Sequence, residues 1–92
     1  MKFDPAAFKH GKTEEDIKFV YRSCLTEWFS NGFSNRGNER AMLVGFDPNG
    51  NLMEIAVELI TNQIGNDEEY FYHAMKATLE WQIQYEKKRR HR

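Results

Sequence analysis

Two apolar runs, Glu39 to Asp47 and Leu52 to Thr61, flank the tetrapeptide Pro48-Asn49-Gly50-Asn51, and no other stretch of the chain restricts its fold so tightly. Met42, Val44 and Phe46 alternate along the first run. Met53, Ile55, Val57 and Leu59 alternate along the second, with Glu54 and Glu58 turned to the opposite side. Asn-Gly between two such runs is the strongest short-range hairpin signal. The pattern predicts an antiparallel pair of strands with one face buried and the other partly wet.

The flanking segments supply the rest. Met1 to Gly11 is punctuated by Pro5 and Gly11, which predicts an irregular lead-in or one short turn, anchored to the core by Phe3 and Phe8. Thr13 is placed as an N-cap, with Glu14, Glu15 and Asp16 in the first turn where carboxylates favour the positive helix end. Ile17, Val20, Tyr21, Cys24 and Trp28 then step by three or four, which predicts a helix over about Thr13 to Cys24. Leu25 to Phe29 reads as a short strand, and Asn31 to Asn38 as a turn-rich loop. Asn62 to Asp67 is the next connection. Glu68 to Ala74 forms a strand that passes directly into a helix from Lys76 to about Arg89, its buried stripe made by Ala77, Trp81 and Tyr85. The order predicts one α+β domain over residues 1–92: a helix, three or four antiparallel strands, and a C-terminal helix, with both helices on one sheet face.

A chain of 92 residues with 40% apolar and 14% aromatic content can bury a modest core and has no room for a second domain. The one cysteine, Cys24, cannot close an internal disulfide, and no run approaches a membrane span, so a cytoplasmic protein is expected. The net charge of −1 conceals an asymmetry. Positions 1–86 carry eight Lys and Arg against all 14 acidic residues, a balance of −6, while Lys87, Lys88, Arg89, Arg90 and Arg92 crowd the end. An acidic body disfavours a broad phosphate-binding surface. The basic segment 87–92 reads either as a frayed, solvated helix end or as a contact for RNA, DNA or an acidic partner.

The corner from Tyr70 to Thr78 draws the chemical candidates together. His73 and Lys76 are the sole His and Lys between Lys18 and Lys87. His73 can act as acid or base near neutral pH, as histidines do, or simply bond locally within the strand. Lys76, placed in the first helical turn, opposes the helix dipole, and Glu80 can offset it one turn later. Tyr70, Phe71 and Tyr72 can stack on bases or divide between core and surface. His10 can serve in catalysis or tether the lead-in. Arg40 can meet a phosphate or pair with Glu39, Glu54 or Glu58 across the hairpin, a surface contact contributing only ~0–1 kcal/mol. The three histidines lie far apart and no carboxylate pair carries a metal motif, so neither a metal nor another cofactor is indicated.

Asp4-Pro5, Lys9-His10-Gly11 before the acidic helix start, Arg40 opening a strand, and Tyr72-His73-Ala74-Met75-Lys76-Ala77-Thr78 together resemble the BrnT-like toxin family. The resemblance extends over nearly the whole chain, in short motifs whose order and spacing carry it. It implies a RelE-like fold and the toxin of a type II toxin-antitoxin system: a metal-independent endoribonuclease that inhibits translation. A cognate ribbon-helix-helix antitoxin would neutralise it, in a dimer or heterotetramer. The family's motifs fall on Lys9, His10 and Gly11, on Arg40, and on Lys76, Ala77 and Thr78; with His73 added from the corner itself, the expected catalytic set is His10, Arg40, His73 and Lys76, with Lys9, Tyr72 and the basic Lys87, Lys88, Arg89 and Arg90 toward RNA. The chain departs from the family where Ser-Ala-Arg commonly precedes the Lys; here His73-Ala74-Met75 removes one cation, with Met75 in its place, and introduces an imidazole two residues earlier. A catalytically inert protein-binding module with the same fold is the alternative expectation.

Overall fold

The computed structural model describes residues 1–61 and 64–91. In chain order it contains β1 (Lys2–Phe3), a 3-10 turn (Pro5–Phe8), α1 (Glu14–Arg22), β2 (Glu27–Phe33), β3 (Glu39–Phe46), β4 (Leu52–Thr61), β5 (Asp67–Lys76) and α2 (Leu79–Arg90). The α+β class is as expected. The sheet, however, has five strands rather than three or four, in the order β1-β5-β4-β3-β2. It is also mixed: β2, β3, β4 and β5 pair antiparallel, whereas β1 lies parallel to β5, with Phe3 opposite Phe71. A two-residue strand carries no periodic signal of its own. Phe3 is held there by stacking on Phe71, with ring centroids 5.3 Å apart, and by the Asp4 N–H donating to the Phe71 carbonyl at 2.8 Å.

Both sheet faces are covered, and the helices lie on opposite ones, which corrects the single-face arrangement. On one face Ile17 and Val20 of α1, with Ala7, pack on Ala41, Leu43, Met53, Ile55, Val57, Phe71 and Ala74. On the other, Ala77 and Tyr85 pack with Met42, Val44 and Ala56, flanked by Phe29, Leu52, Tyr72 and Trp81. Alternation along β3 therefore divides its apolar residues between two cores, Met42 and Val44 to one and Ala41 and Leu43 to the other. The supposedly wet face holds Glu54 and Glu58 at 5% exposure.

Local boundaries follow side-chain chemistry. Thr13 caps α1 with a reciprocal pair: Asp16 N–H donates to Thr13 Oγ1 at 3.2 Å and Thr13 N–H to Asp16 Oδ2 at 2.9 Å. The strand expected over Leu25 to Phe29 starts later and runs on to Phe33, absorbing Asn31-Gly32 as a register shift in an edge strand, with Gly32 at φ 75°. Turn-like composition marked a bulge rather than a loop, and the loop itself shortens to Ser34–Asn38. Between β3 and β4 the connection is Asp47 to Asn51, where Asp47 Oδ1 accepts from the N–H groups of Asn49 and Asn51, both at 2.9 Å. Gly50 takes φ 79° there. Asn62 and Gln63, part of the expected connection after β4, lie outside the described residues.

The C-terminal basic segment continues α2 through Arg90. Arg89 Nη1 donates to Glu27 Oε2 at 3.0 Å, and the Lys88 ammonium sits 4.8 Å from the Phe29 ring centroid while donating to the Trp28 carbonyl. Glu27, at 1% exposure, supplies the buried carboxylate that holds these cations against β2. No helix among the described residues is long and apolar enough to cross a membrane.

Candidate active site at the edge of β5

The ladder between β4 and β5 shifts register between Ala56 and Val57: Val57 pairs with Phe71 but Ala56 pairs with His73. The extra residue, Tyr72, breaks the strict alternation, as a β-bulge does. Phe71 and Ala74 remain in the α1-side core, while Tyr72 and His73 both fall on the α2 side. α2 packs over β2 and β3, and on the β4–β5 half of that face Glu54, Glu58, Tyr70 and His73 stand beside Ala56 and Tyr72.

His73 Nε2 lies 2.9 Å from Glu54 Oε2, and Glu54 Oε1 accepts the Thr78 N–H at 2.8 Å. Glu54 thus bridges the imidazole and the start of α2. The carboxylate partner assigns the Nε2–H tautomer to the neutral ring, which leaves Nδ1 as its acceptor. Against His73 stands His10, its ring centroid 5.8 Å away and the two planes inclined by 72°. His10 is positioned from both sides. Before it, Phe8 and Phe3 pack on the core and the Gly11 N–H closes a turn on the Phe8 carbonyl at 3.3 Å, with Gly11 at φ 82°. After it, Lys12 Nζ reaches Asp47 Oδ2 at 3.0 Å.

Farther along the same face, Arg40, Glu58 and Tyr70 occupy opposed positions on β3, β4 and β5. With Ser34, Asn35, Arg36 and Tyr72 they line a cleft of about 260 Å³. The Glu58 carboxylate accepts from Asn38 Nδ2 at 2.7 Å and from Arg36 Nη2 at 3.2 Å. The Asn38 bond, together with Ser34 and Arg36, holds Glu58 below the ordinary carboxylate range in spite of its burial. Tyr70 donates its hydroxyl to Asp4, and that bond lowers the Asp4 pKa and raises the phenol's. The Nε of Arg40, by contrast, is buried without a hydrogen-bond partner among the described residues.

The structure thus brings His10 and His73 together and sets Arg40 and Tyr72 in the adjoining cleft. Lys76 is elsewhere. It is the last residue of β5 rather than part of the helix, which begins at Leu79 after the N-cap Thr78, so the dipole argument does not apply to it. It pairs with Met53 of the α1-side core and is exposed on that opposite face. Lys9 is exposed beside His10. Lys87 and Arg90 are exposed on α2, whereas Lys88 and Arg89 are engaged with β2. Phe71 is core at 0% exposure, and Tyr70 and Tyr72 turn to the cleft side.

Glu54, Glu58 and Arg36 were not singled out for a role in the site. The polar breaks at Glu54 and Glu58 in an apolar strand were visible, but their partners come from β5 and from the loop after β2. Among the described residues, no group of three or more His, Cys, Asp or Glu side chains is arranged to hold a metal ion. What fold and site define is a small α+β domain with an imidazole pair beside an arginine- and tyrosine-lined cleft. No protein-family model matches the chain, and no curated protein matches it.

Proposed function

We propose that this protein is an endoribonuclease of the BrnT-like, RelE-like toxin type, in which His10 and His73 form the acid–base pair. The observation that carries the reading is their approach: two imidazoles from distant parts of the chain meet at 5.8 Å, one of them oriented by a buried carboxylate. Cleavage of RNA by such a pair requires one neutral and one protonated ring. The neutral imidazole takes the 2′-OH proton as the 2′-oxygen bonds to phosphorus. The protonated imidazole gives its proton to the 5′-oxygen as the P–O5′ bond breaks. A 2′,3′-cyclic phosphate and a free 5′-hydroxyl result, and this chemistry needs no metal. The reading includes a ribbon-helix-helix antitoxin as partner; Leu79 and Ile83, exposed by 69% and 43% on one side of α2, offer apolar surface for it.

Induced expression of the wild type, His10→Ala and His73→Ala, with growth and total RNA followed, tests the proposal. Growth arrest and RNA cleavage by the wild type, lost in both variants, are expected. A folded wild type that leaves growth and RNA intact would refute the enzymatic part. The second reading, an inert module binding the same kind of partner, draws on the acidic body, with eight cationic against 14 acidic residues in positions 1–86. Capture of a ribbon-helix-helix protein without nuclease activity would select it.

A further inference from the structure

We infer that the cleft between the β2–β3 loop and β5 is a subsite for a backbone phosphate of RNA flanking the scissile bond, with Arg40 as its principal ligand and not a participant in bond cleavage. The inference rests on the ribonuclease reading and adds to it a division of labour. Arg40 sits two strands away from the imidazole pair, in the row it shares with Glu58 and Tyr70. The anions near it are already answered: Glu58 by Asn38 and Arg36, and Asp4 by Tyr70 and the Ala6 N–H. The Arg40 Nε is not, although it is buried. That Nε is enclosed, so a ligand meets its N–H only after a small shift of the side chain; Arg40 nonetheless lines the cleft, and the planar fork of arginine fits two oxygens of a phosphodiester.

The surroundings suit such a ligand. Arg36 lies beside it, its side chain 67% exposed, and is committed to Glu58, which leaves Arg40 as the cation for a ligand. Tyr72 lines the cleft and is the neighbour of His73 in β5, on the same side of the bulge, so a strand of RNA crossing this face meets Arg40 and the imidazole pair in succession. The narrow volume, about 260 Å³, favours a phosphate with part of its sugar over a stacked base pair. A single local guanidinium also reconciles nucleic-acid binding with an acidic body, since contact is confined to a few phosphates.

The test uses the full chain and a short 2′-O-methyl oligonucleotide, which lacks the attacking hydroxyl, alongside inorganic phosphate alone. The Arg40 Nε–H resonance is expected to move on addition of the oligonucleotide. Arg40→Gln should weaken binding about tenfold or more and lower the log–log salt slope by about one. Arg40→Lys should restore the slope but only part of the affinity. On cleavable RNA, Arg40→Gln should raise KM and leave kcat near the wild-type value. Unchanged affinity and slope in a folded Arg40→Gln would overturn the subsite and leave the nuclease proposal standing. A kcat loss with unchanged KM would overturn it too, by moving Arg40 to the reacting centre. A shift with phosphate but none with the oligonucleotide would mean an adventitious ion only. Arg40-dependent oligonucleotide binding by a wild type that cuts no RNA would keep the phosphate site and refute the nuclease.

Discussion

Glu54 joins two elements through one buried carboxylate: its Oε2 holds His73 Nε2 at 2.9 Å, and its Oε1 takes the Thr78 N–H at 2.8 Å. Thr78 makes no side-chain cap of its own, so a residue of β4 performs the polar closure at the start of α2. Glu54→Ala should therefore act on site and stability together. Loss of the acceptor for the Thr78 N–H is expected to cost about 1 kcal/mol in denaturant unfolding. The His73 imidazole ¹⁵N signals should change from those of the Nε2–H form to those of a tautomer mixture. RNA cleavage should fall about 10–100-fold, part of the ~10²–10⁴ that a positioned acid or base contributes. An unchanged tautomer signature would remove Glu54 from the site.

Gly45 is the glycine that packing forbids to change. A Cβ there would stand 2.3 Å from Thr26 Oγ1 and 3.0 Å from Val20 Cγ1, where the end of α1 folds back onto β3. Thr26 Oγ1 is itself tied to the Val20 carbonyl at 2.6 Å. Gly45→Ala should destabilise by about 1–3 kcal/mol through overpacking. Thermal unfolding would register this as a fall of about 4–8 °C per kcal/mol, with part recovered in Gly45→Ala/Thr26→Ala.

Docking of α2 rests partly on the Tyr85 hydroxyl, which donates to the Leu25 carbonyl at 2.7 Å beneath the helix. Tyr85→Phe keeps the ring, its edge contact with Phe46 and its apolar burial, and removes only the donor. The expected loss is about 1 kcal/mol. Amide exchange should quicken in α2 more than in β4 and β5 if the helix is released locally.

Acid sensitivity should come from Asp47 as well as Glu58. Burial pushes the Asp47 carboxyl up, but the N–H groups of Asn51 and Asn49 and the Lys12 ammonium outweigh it, and the net shift is downward. Glu58 is also held low. A carboxyl depressed in the folded state stabilises fully above its unfolded value, about 4, and loses that contribution as pH falls through the lower folded value. Stability should be flat through the neutral range on account of these two groups and decline below pH ~4. Urea midpoints of Asp47→Asn should decline less steeply with acid than those of the wild type.

Much of the secondary structure was legible because its signals are local. The Thr13 cap, the α1 stripe at Ile17, Val20 and Tyr21, and the extents of β3 and β4 follow from residues a few positions apart; Cys24 and Trp28, expected on the same stripe, lie beyond the helix, which ends at Arg22. The errors have a common cause. Asn31-Gly32 has turn composition, yet pairing with β3 draws it into an edge strand where glycine serves a bulge. Lys76-Ala77-Thr78 has helical composition, yet the ladder with β4 keeps Lys76 extended, opposite Met53. In each case pairing outweighed propensity.

The sequence by itself determined the class of fold and the strand pair at its centre, and it marked His10, His73 and Arg40 as residues worth following. Only the tertiary structure decided that His10 faces His73, that Arg40 stands in a separate cleft with Tyr70 and Tyr72, and that Lys76 belongs to the other face. Tertiary packing also set the helices on opposite sides and fastened the basic end of α2 to Glu27. The physical reason is the range of the forces concerned. Periodicity and capping act within a few residues, whereas the face a side chain occupies depends on strand register, and one extra residue at Tyr72 is enough to place His73 beside Glu54.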